Sequence, residues 1–243
     1  MARIFDFVRK LPGLRPRGTS LDILEKNNIF CAKLDQNSPL DSYTYTVVDT
    51  ELTGLSARKE EIVSLGAVRI QGLSIRPGDS FSALVRPSIA LPKTSTLIHR
   101  ITPGAIAQAP PLAEVLPKFI DFCSGTLIIG HNVGLDMAFI NRACKKYFGQ
   151  PMVNPCLDTM RMAMLWREQQ LTNHYDRFNL KVSYSLTDLA KEMELPAFTA
   201  HTALGDALQT AYLFLYLTKK IAGHGSWTLK KLHQAGQSWR WYF

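Results

Sequence analysis

The chain has 243 residues, 46% of them hydrophobic and 20% charged, which suits one large globular domain with appendages or two small domains. No apolar run approaches a membrane span, and Met1–Lys10 mixes charges into its apolar positions, unlike a secretory signal. The formal charge of +8 and a pI near 9.4 favour an anionic partner and exclude an acidic, purely solvating chain.

The location of that charge is more informative than its total. Residues 1–18 carry a net +4 and residues 227–243 a net +3, which leaves +1 of the +8 for everything between. The four cysteines (Cys31, Cys123, Cys144 and Cys156) show no C-x-x-C spacing, and Cys123 and Cys144 fall inside apolar helical patterns. They read as reduced core residues of an intracellular, cytoplasmic protein and not as a disulfide frame or zinc site.

Residues 1–40 lack sustained periodicity and contain the breakers Leu11-Pro12-Gly13 and Arg15-Pro16-Arg17-Gly18, so they read as an N-terminal extension with a short capped helix over 19–27. Three strands follow at 43–51, 61–70 and 81–86, joined by short connections that favour an antiparallel meander. The first of them places Asp49 and Glu51 two residues apart, hence on one face of extended chain. Two such carboxylates against a core cost several kcal/mol unless a cation holds them or the face opens to water. The plain alternative is a strand that ends at Asp49 with both acids solvated.

Leu112–Cys123 has an amphipathic helical pattern stopped by Ser124-Gly125, and Leu127–Gly130 is the short apolar run of a central strand. That strand runs into His131-Asn132-Val133-Gly134-Leu135-Asp136, polar residues at the edge where α/β proteins build sites. A helix is predicted over 135–148 and broken by Gly149-Gln150-Pro151. Cys156–Thr159 begins a strand or a helix, and 160–170 continues as helix. Ser185 caps a helix over 185–193, and a long apolar-faced helix spans 202–221, ended by Gly223. The order, a meander and then alternation, predicts an α/β fold with a mixed sheet flanked by helices.

Ahead of the last helix stands His201-Thr202-Ala203-Leu204-Gly205-Asp206. On one helix His201 and Asp206 would lie about 140° apart, so they converge only if His201 precedes the helix and Thr202 is its N-cap. Asp206 interrupts a small apolar face, and a buried aspartate needs compensation. Four carboxylates from three chain segments are hard oxygen ligands suited to Mg²⁺ or Mn²⁺, and a histidine next to them can take a proton.

Asp49-Thr50-Glu51-Leu52-Thr53-Gly54, His131-Asn132 with Asp136, and His201 with Asp206 resemble, in order, the three motifs of the DEDDh 3′→5′ exonucleases, the proofreading type similar to the epsilon subunit of bacterial DNA polymerase III. The resemblance covers roughly residues 44–218 and includes Ile98-His99-Arg100-Ile101-Thr102. It implies a ribonuclease-H-like five-stranded mixed sheet, an exonuclease domain over 41–222, and two divalent cations held by Asp49, Glu51, Asp136 and Asp206. It further implies that His201 is the general base, that Thr53 and Gly54 hold the terminal nucleotide, that Leu55 wedges under its base, and that His99 lies near the 3′ end. Leu52 and Arg100 depart from the family's usual Thr and Gly. The implied partner is a single-stranded 3′ end, DNA before RNA, with a polymerase subunit or other protein at the tails and no membrane. The alternatives are an exoribonuclease of the RNase T type, which no residue here excludes, and a non-catalytic nuclease-like docking module, which predicts a lost ligand.

The tail at 223–243 interleaves Lys230, Lys231 and Arg240 with Trp227, Trp239, Trp241, Tyr242 and Phe243. Aromatic faces among cations can stack single-stranded bases. Aromatics this dense more often pack back on the domain or dock a partner protein.

Overall fold

The computed structural model describes residues 18–170, 182–223, 225 and 227–237. In chain order the elements are α1 (Gly18–Ala32), β1 (Thr44–Leu52), β2 (Ile62–Gln71), β3 (Ser74–Leu84), α2 (Lys93–His99), α3 (Pro103–Ile106), α4 (Leu112–Cys123), β4 (Leu127–Gly130), α5 (Gly134–Phe148), β5 (Cys156–Asp158), α6 (Thr159–Gln170), α7 (Leu186–Glu192), α8 (Ala203–Ala222) and α9 (Leu229–Gln237). The five strands form one sheet in the order β3-β2-β1-β4-β5. β1, β2 and β3 pair antiparallel, and β1–β4 and β4–β5 pair parallel. This is the mixed, helix-flanked sheet expected from the pattern.

Strand alternation assigns the two faces. Tyr45 and Val47 of β1 join Ile70, Ile129, Leu157 and the inner side of α8 (Leu213, Phe214, Leu217) in one core cluster. Val48 and Leu52 point the other way, into a cluster with Phe119 and Ile120 of α4 and Phe139 and Ile140 of α5. Asp49 and Glu51 share the parity of Tyr45 and Val47 and so project toward the α8 side. Thr50 projects toward the α5 side.

β3 begins at Ser74 and not near residue 81. Gly72 and Leu73 both take positive φ (55° and 54°), the geometry of a two-residue hairpin that pairs Gln71 with Ser74. Leucine is a rare occupant of that position, so the turn carries no signal in the sequence. The ladder then shifts between Val68 and Arg69, and Pro77 sits in that irregularity on the sheet's edge, where its missing N–H does no harm.

The flanks dock on the domain. Leu24 of α1 is fully buried in the α4–α5 cluster. Asn27 is buried too, bonding its Nδ2 to Asn154 Oδ1 at 2.7 Å and accepting from Gly125 N at 3.0 Å. At the other end Leu229 and Leu232 of α9 are buried against the α8 side, with Trp227 packed beside them. Residues 1–17 and Trp239, Arg240, Trp241, Tyr242 and Phe243, on which the tail readings rest, lie outside the described residues. All four cysteines are free, with Cys123 and Cys144 buried. No helix among the described residues is long and apolar enough to cross a membrane.

Candidate metal centre

The site forms where β1 outruns its neighbour. β4 stops at Gly130, and its pairing with β1 ends at Val47–Ile129, so the β4-facing edge of β1 is open from there on. Asp49 and Glu51 lie on that extension, and Asp49 is paired across the ladder with Gly66 of β2. A Cβ on Gly66 would stand 2.2 Å from the Ala203 carbonyl carbon and 2.3 Å from the Leu204 nitrogen. The missing side chain lets the first turn of α8 lie directly on the sheet, which brings Asp206 beside the β1 acids. Ligand oxygens of Asp49, Glu51 and Asp206 all lie within 4.8 Å of one another.

The start of α8 is shaped locally. Thr202 is the N-cap, its hydroxyl accepting from Gly205 N at 3.2 Å. His201 stands before the helix at φ 60°, exposed, and its backbone N–H donates to Asp206 Oδ2 at 3.0 Å. One carboxylate oxygen of Asp206 is thereby aimed, and the imidazole is left on the open side.

Asp136 reaches the site from the other face of the sheet. It is the third residue of α5 and is buried, and its Oδ1 accepts from the backbone N–H of Thr50 at 3.0 Å and from the Thr50 hydroxyl at 2.6 Å. The free edge of β1 supplies that N–H. Asp136 is not part of the three-acid cluster, but it acts on it electrostatically. Thr50 was not among the site residues read from the sequence, and its place between two acids is the signal that could have found it.

The acids raise one another's proton affinity. Burial, and then the charges of Asp136, Asp206 and Glu51, push the Asp49 carboxyl well above the usual carboxylate range. Burial, with Asp206 and Asp136 adding, pushes Glu51 up to about 7. Asp136 is pushed up to about 6 by burial against the opposing pull of its Thr50 hydrogen bonds. Asp206 is raised by burial and partly restored by the His201 N–H. No lysine or arginine is ion-paired to these acids among the described residues. A set of converging, partly buried carboxylates with no lysine or arginine paired to it among the described residues fits hard divalent ions such as Mg²⁺ or Mn²⁺.

The remaining predicted residues are in different local states. Leu55 is 79% exposed. The Thr53 hydroxyl is buried and engaged within the protein, donating to Glu60 Oε2 at 2.6 Å and accepting from Glu61 N at 2.9 Å. Gly54 leaves a Cβ position only 3.0 Å from the Glu60 side chain. His99, at the end of α2, is buried, with Nδ1 accepting from Ile101 N at 3.0 Å and Nε2 without a hydrogen-bond partner among the described residues. His131 is not part of the acid cluster and clamps two other segments, bonding Thr159 Oγ1 at 3.0 Å and Tyr184 O at 2.8 Å. Asp158 Oδ1 holds the adjoining turn, accepting from Asn132 N and Met160 N, both at 3.0 Å.

The family model described as Exonuclease (RNase_T) matches residues 46–214, a span that contains every one of these acids. A DNA polymerase III subunit epsilon of Aquifex aeolicus is 32% identical over 178 residues, covering 73% of this chain and 82% of that protein. A DNA polymerase III subunit epsilon-like protein of Rhodobacter capsulatus is 35% identical over 191 residues, and the match spans 77% of this chain but a quarter of that relative's length. Among solved structures, exonuclease X in complex with 5′ overhanging duplex DNA superposes with a TM-score of 0.56 at 24% identity, over 79% of this chain and 99% of that one. Exonuclease I of E. coli in complex with a dT13 oligonucleotide gives a TM-score of 0.62 at 18% identity, over 73% of this chain and 41% of that one. These two share the fold.

Proposed function

The chain belongs to the exonuclease family, and from that premise we propose that it is a metal-dependent 3′→5′ exonuclease that removes nucleoside monophosphates from single-stranded DNA 3′ ends. The observation that carries this reading is the convergence of Asp49, Glu51 and Asp206 within 4.8 Å, with no ion pair to neutralise them among the described residues. Asp136 completes the set of four. The two ions such a set would hold supply positive charge to the attacking and leaving oxygens of a phosphodiester.

The chain's own residues do the rest. Asp49 has the central position, flanked by Glu51 on the same strand face and by Asp206 from α8. His201, anchored through its backbone to Asp206, takes the proton of the attacking water. The water oxygen bonds to phosphorus, the bond from phosphorus to the 3′ oxygen of the preceding nucleotide breaks, and that oxygen is protonated from solvent. Exposed Leu55 offers an apolar surface to the terminal base, and the Thr53-Gly54 turn, braced on Glu60 and Glu61, sets where Leu55 stands. His99 belongs to the same rim near the 3′ end.

DNA is favoured as the substrate because the two fold neighbours described above were captured with DNA. A polymerase subunit is the protein partner that the epsilon-type relatives suggest. The test uses 5′-labelled single-stranded DNA and RNA of equal sequence, with Mg²⁺ or Mn²⁺, resolved as ladders. Progressive shortening of DNA from the 3′ end is expected. Shortening of RNA alone would replace DNA by RNA as the substrate, and intact label in both would make the chain a docking module.

A further inference from the structure

The helix that carries Asp136 also walls an open groove of about 570 Å³. Gly134, Asn141 and Lys145 of α5 line one side, and Ala57 and Arg58 of the β1–β2 loop line the other. Arg142 ties the walls together, its guanidinium donating to the carbonyls of Ala57 and Glu60. No acidic side chain lines the groove among the described residues. Arg58 and Lys145 are exposed, and neither forms an ion pair among the described residues.

A cation near a helix C-terminus normally offsets the macrodipole, which accounts for Lys145. It does not account for Arg58, which faces the same groove from a loop. Nor does it account for a third cation, Arg142, fixed between them. The body of the chain is nearly neutral, so three cations in one acid-free groove are a local concentration and not the average surface.

The groove starts at Gly134, in the first turn of α5, whose opposite, buried face carries Asp136, and follows α5 to Lys145, eleven helical rises or about 16 Å. A stacked strand advances roughly 3.4 Å per phosphate, so the groove holds about five. We infer that it is the track for the phosphates of the nucleic-acid strand on the 5′ side of the scissile bond, held by Arg58, Arg142 and Lys145. The inference rests on the exonuclease reading for its direction along the strand, and its test reads binding and not turnover.

The experiment compares the full chain with Arg58→Ala/Lys145→Ala, leaving Arg142 in place because it braces the loop. Fluorescein-labelled oligothymidylates of two and twelve nucleotides are titrated without metal across a potassium chloride series. The double variant is expected to bind the twelve-mer roughly tenfold or more weakly at low salt, and the slope of log K against log salt should flatten by about 1.4, two contacts at ~0.7 each. The dinucleotide, too short to enter the groove, should lose far less. An unchanged twelve-mer slope, or an equal loss for both lengths, would overturn the track. A loss seen only when the twelve-mer is paired with a complementary strand would assign the groove to that second strand and overturn the inference as stated. If the double variant melts early, the single Lys145→Ala carries the same comparison with half the slope change. A wild type that binds as expected and does not cleave would defeat the exonuclease reading while leaving the groove measured.

Discussion

Asp49 stands directly opposite Gly66 in the β1–β2 ladder, and Gly66 is the residue on which the first turn of α8 rests. The distance between the two halves of the acid cluster is therefore set by a missing side chain. Gly66→Ala should push Ala203 and Leu204 off the sheet, since backbone atoms at 2.2–2.4 Å cannot yield as a flexible side chain does. Overpacking of this kind costs about 1–3 kcal/mol. Thermal melts should show that loss, and Mn²⁺ calorimetry should show an affinity loss larger than a purely global effect would give. Unchanged Mn²⁺ affinity would mean that α8 can shift without moving Asp206.

Removing a ligand acts in the opposite direction on stability. Asp49→Ala and Asp206→Ala should abolish hydrolysis, yet the metal-free proteins should melt at or above the wild-type temperature, because each loses a buried charge repelled by its neighbours. Near-normal turnover in Asp49→Ala would place the metal centre elsewhere.

The same repulsion predicts a pH dependence. Folding raises Glu51 from an ordinary 4.5 to about 7 and Asp136 from 3.8 to about 6. The folded state thus binds more protons than the unfolded one between those values. Its contribution to stability is fully present below about pH 4 and is lost as pH rises toward 7. Metal-free melting temperatures should fall across that window, and saturating Mn²⁺ should flatten the fall. A metal-free protein whose melting point rises over pH 4–7 would contradict the assignment.

Thr50 holds Asp136 through two donors, of which only the hydroxyl can be removed by mutation. A hydrogen bond to a charged group is worth roughly 1.5–3 kcal/mol. Thr50→Val should lower turnover about tenfold or more through a misplaced Asp136, and Thr50→Ser should restore most of it. The fold should survive, since valine fits the strand. Equal rates for the valine and serine variants would reduce Thr50 to packing.

His201 is exposed and outside the acid cluster, so its removal separates proton transfer from metal holding. His201→Ala should lower turnover by ~10²–10⁴. The backbone N–H that bonds Asp206 survives the change, so Mn²⁺ affinity should stay within a few-fold. Parallel loss of turnover and Mn²⁺ affinity would make the histidine a structural element of the site.

What the sequence determined by itself was whatever depends on near neighbours in the chain. The parity that sets Asp49 and Glu51 on one face follows from the two-residue strand repeat. The caps at Ser185 and Thr202 follow from a hydroxyl and the amide three residues on, and the structure has Asp188 N and Gly205 N bonded to them at 3.2 Å. That His201 and Asp206 can converge only with His201 ahead of the helix followed from the 100° helical step.

The tertiary structure decided what depends on residues far apart in sequence. That Thr50 captures Asp136 needs β4 to stop short of the β1 edge. That Asp206 meets Asp49 needs α8 to touch Gly66. That the clamp on His131 uses Thr159 and Tyr184 needs α6 and the approach to α7 to lie against the end of β4. The short α2 was missed because it has no capping side chain, unlike the equally short α7 with its Ser185 cap, and α3 because four residues are too few for a periodic signal. α9 fell inside a stretch read as tail. Its helical form is held by burial of Leu229 and Leu232 against the α8 side; the two leucines stand three apart among polar residues, an amphipathic signal that nine residues make too short to stand alone.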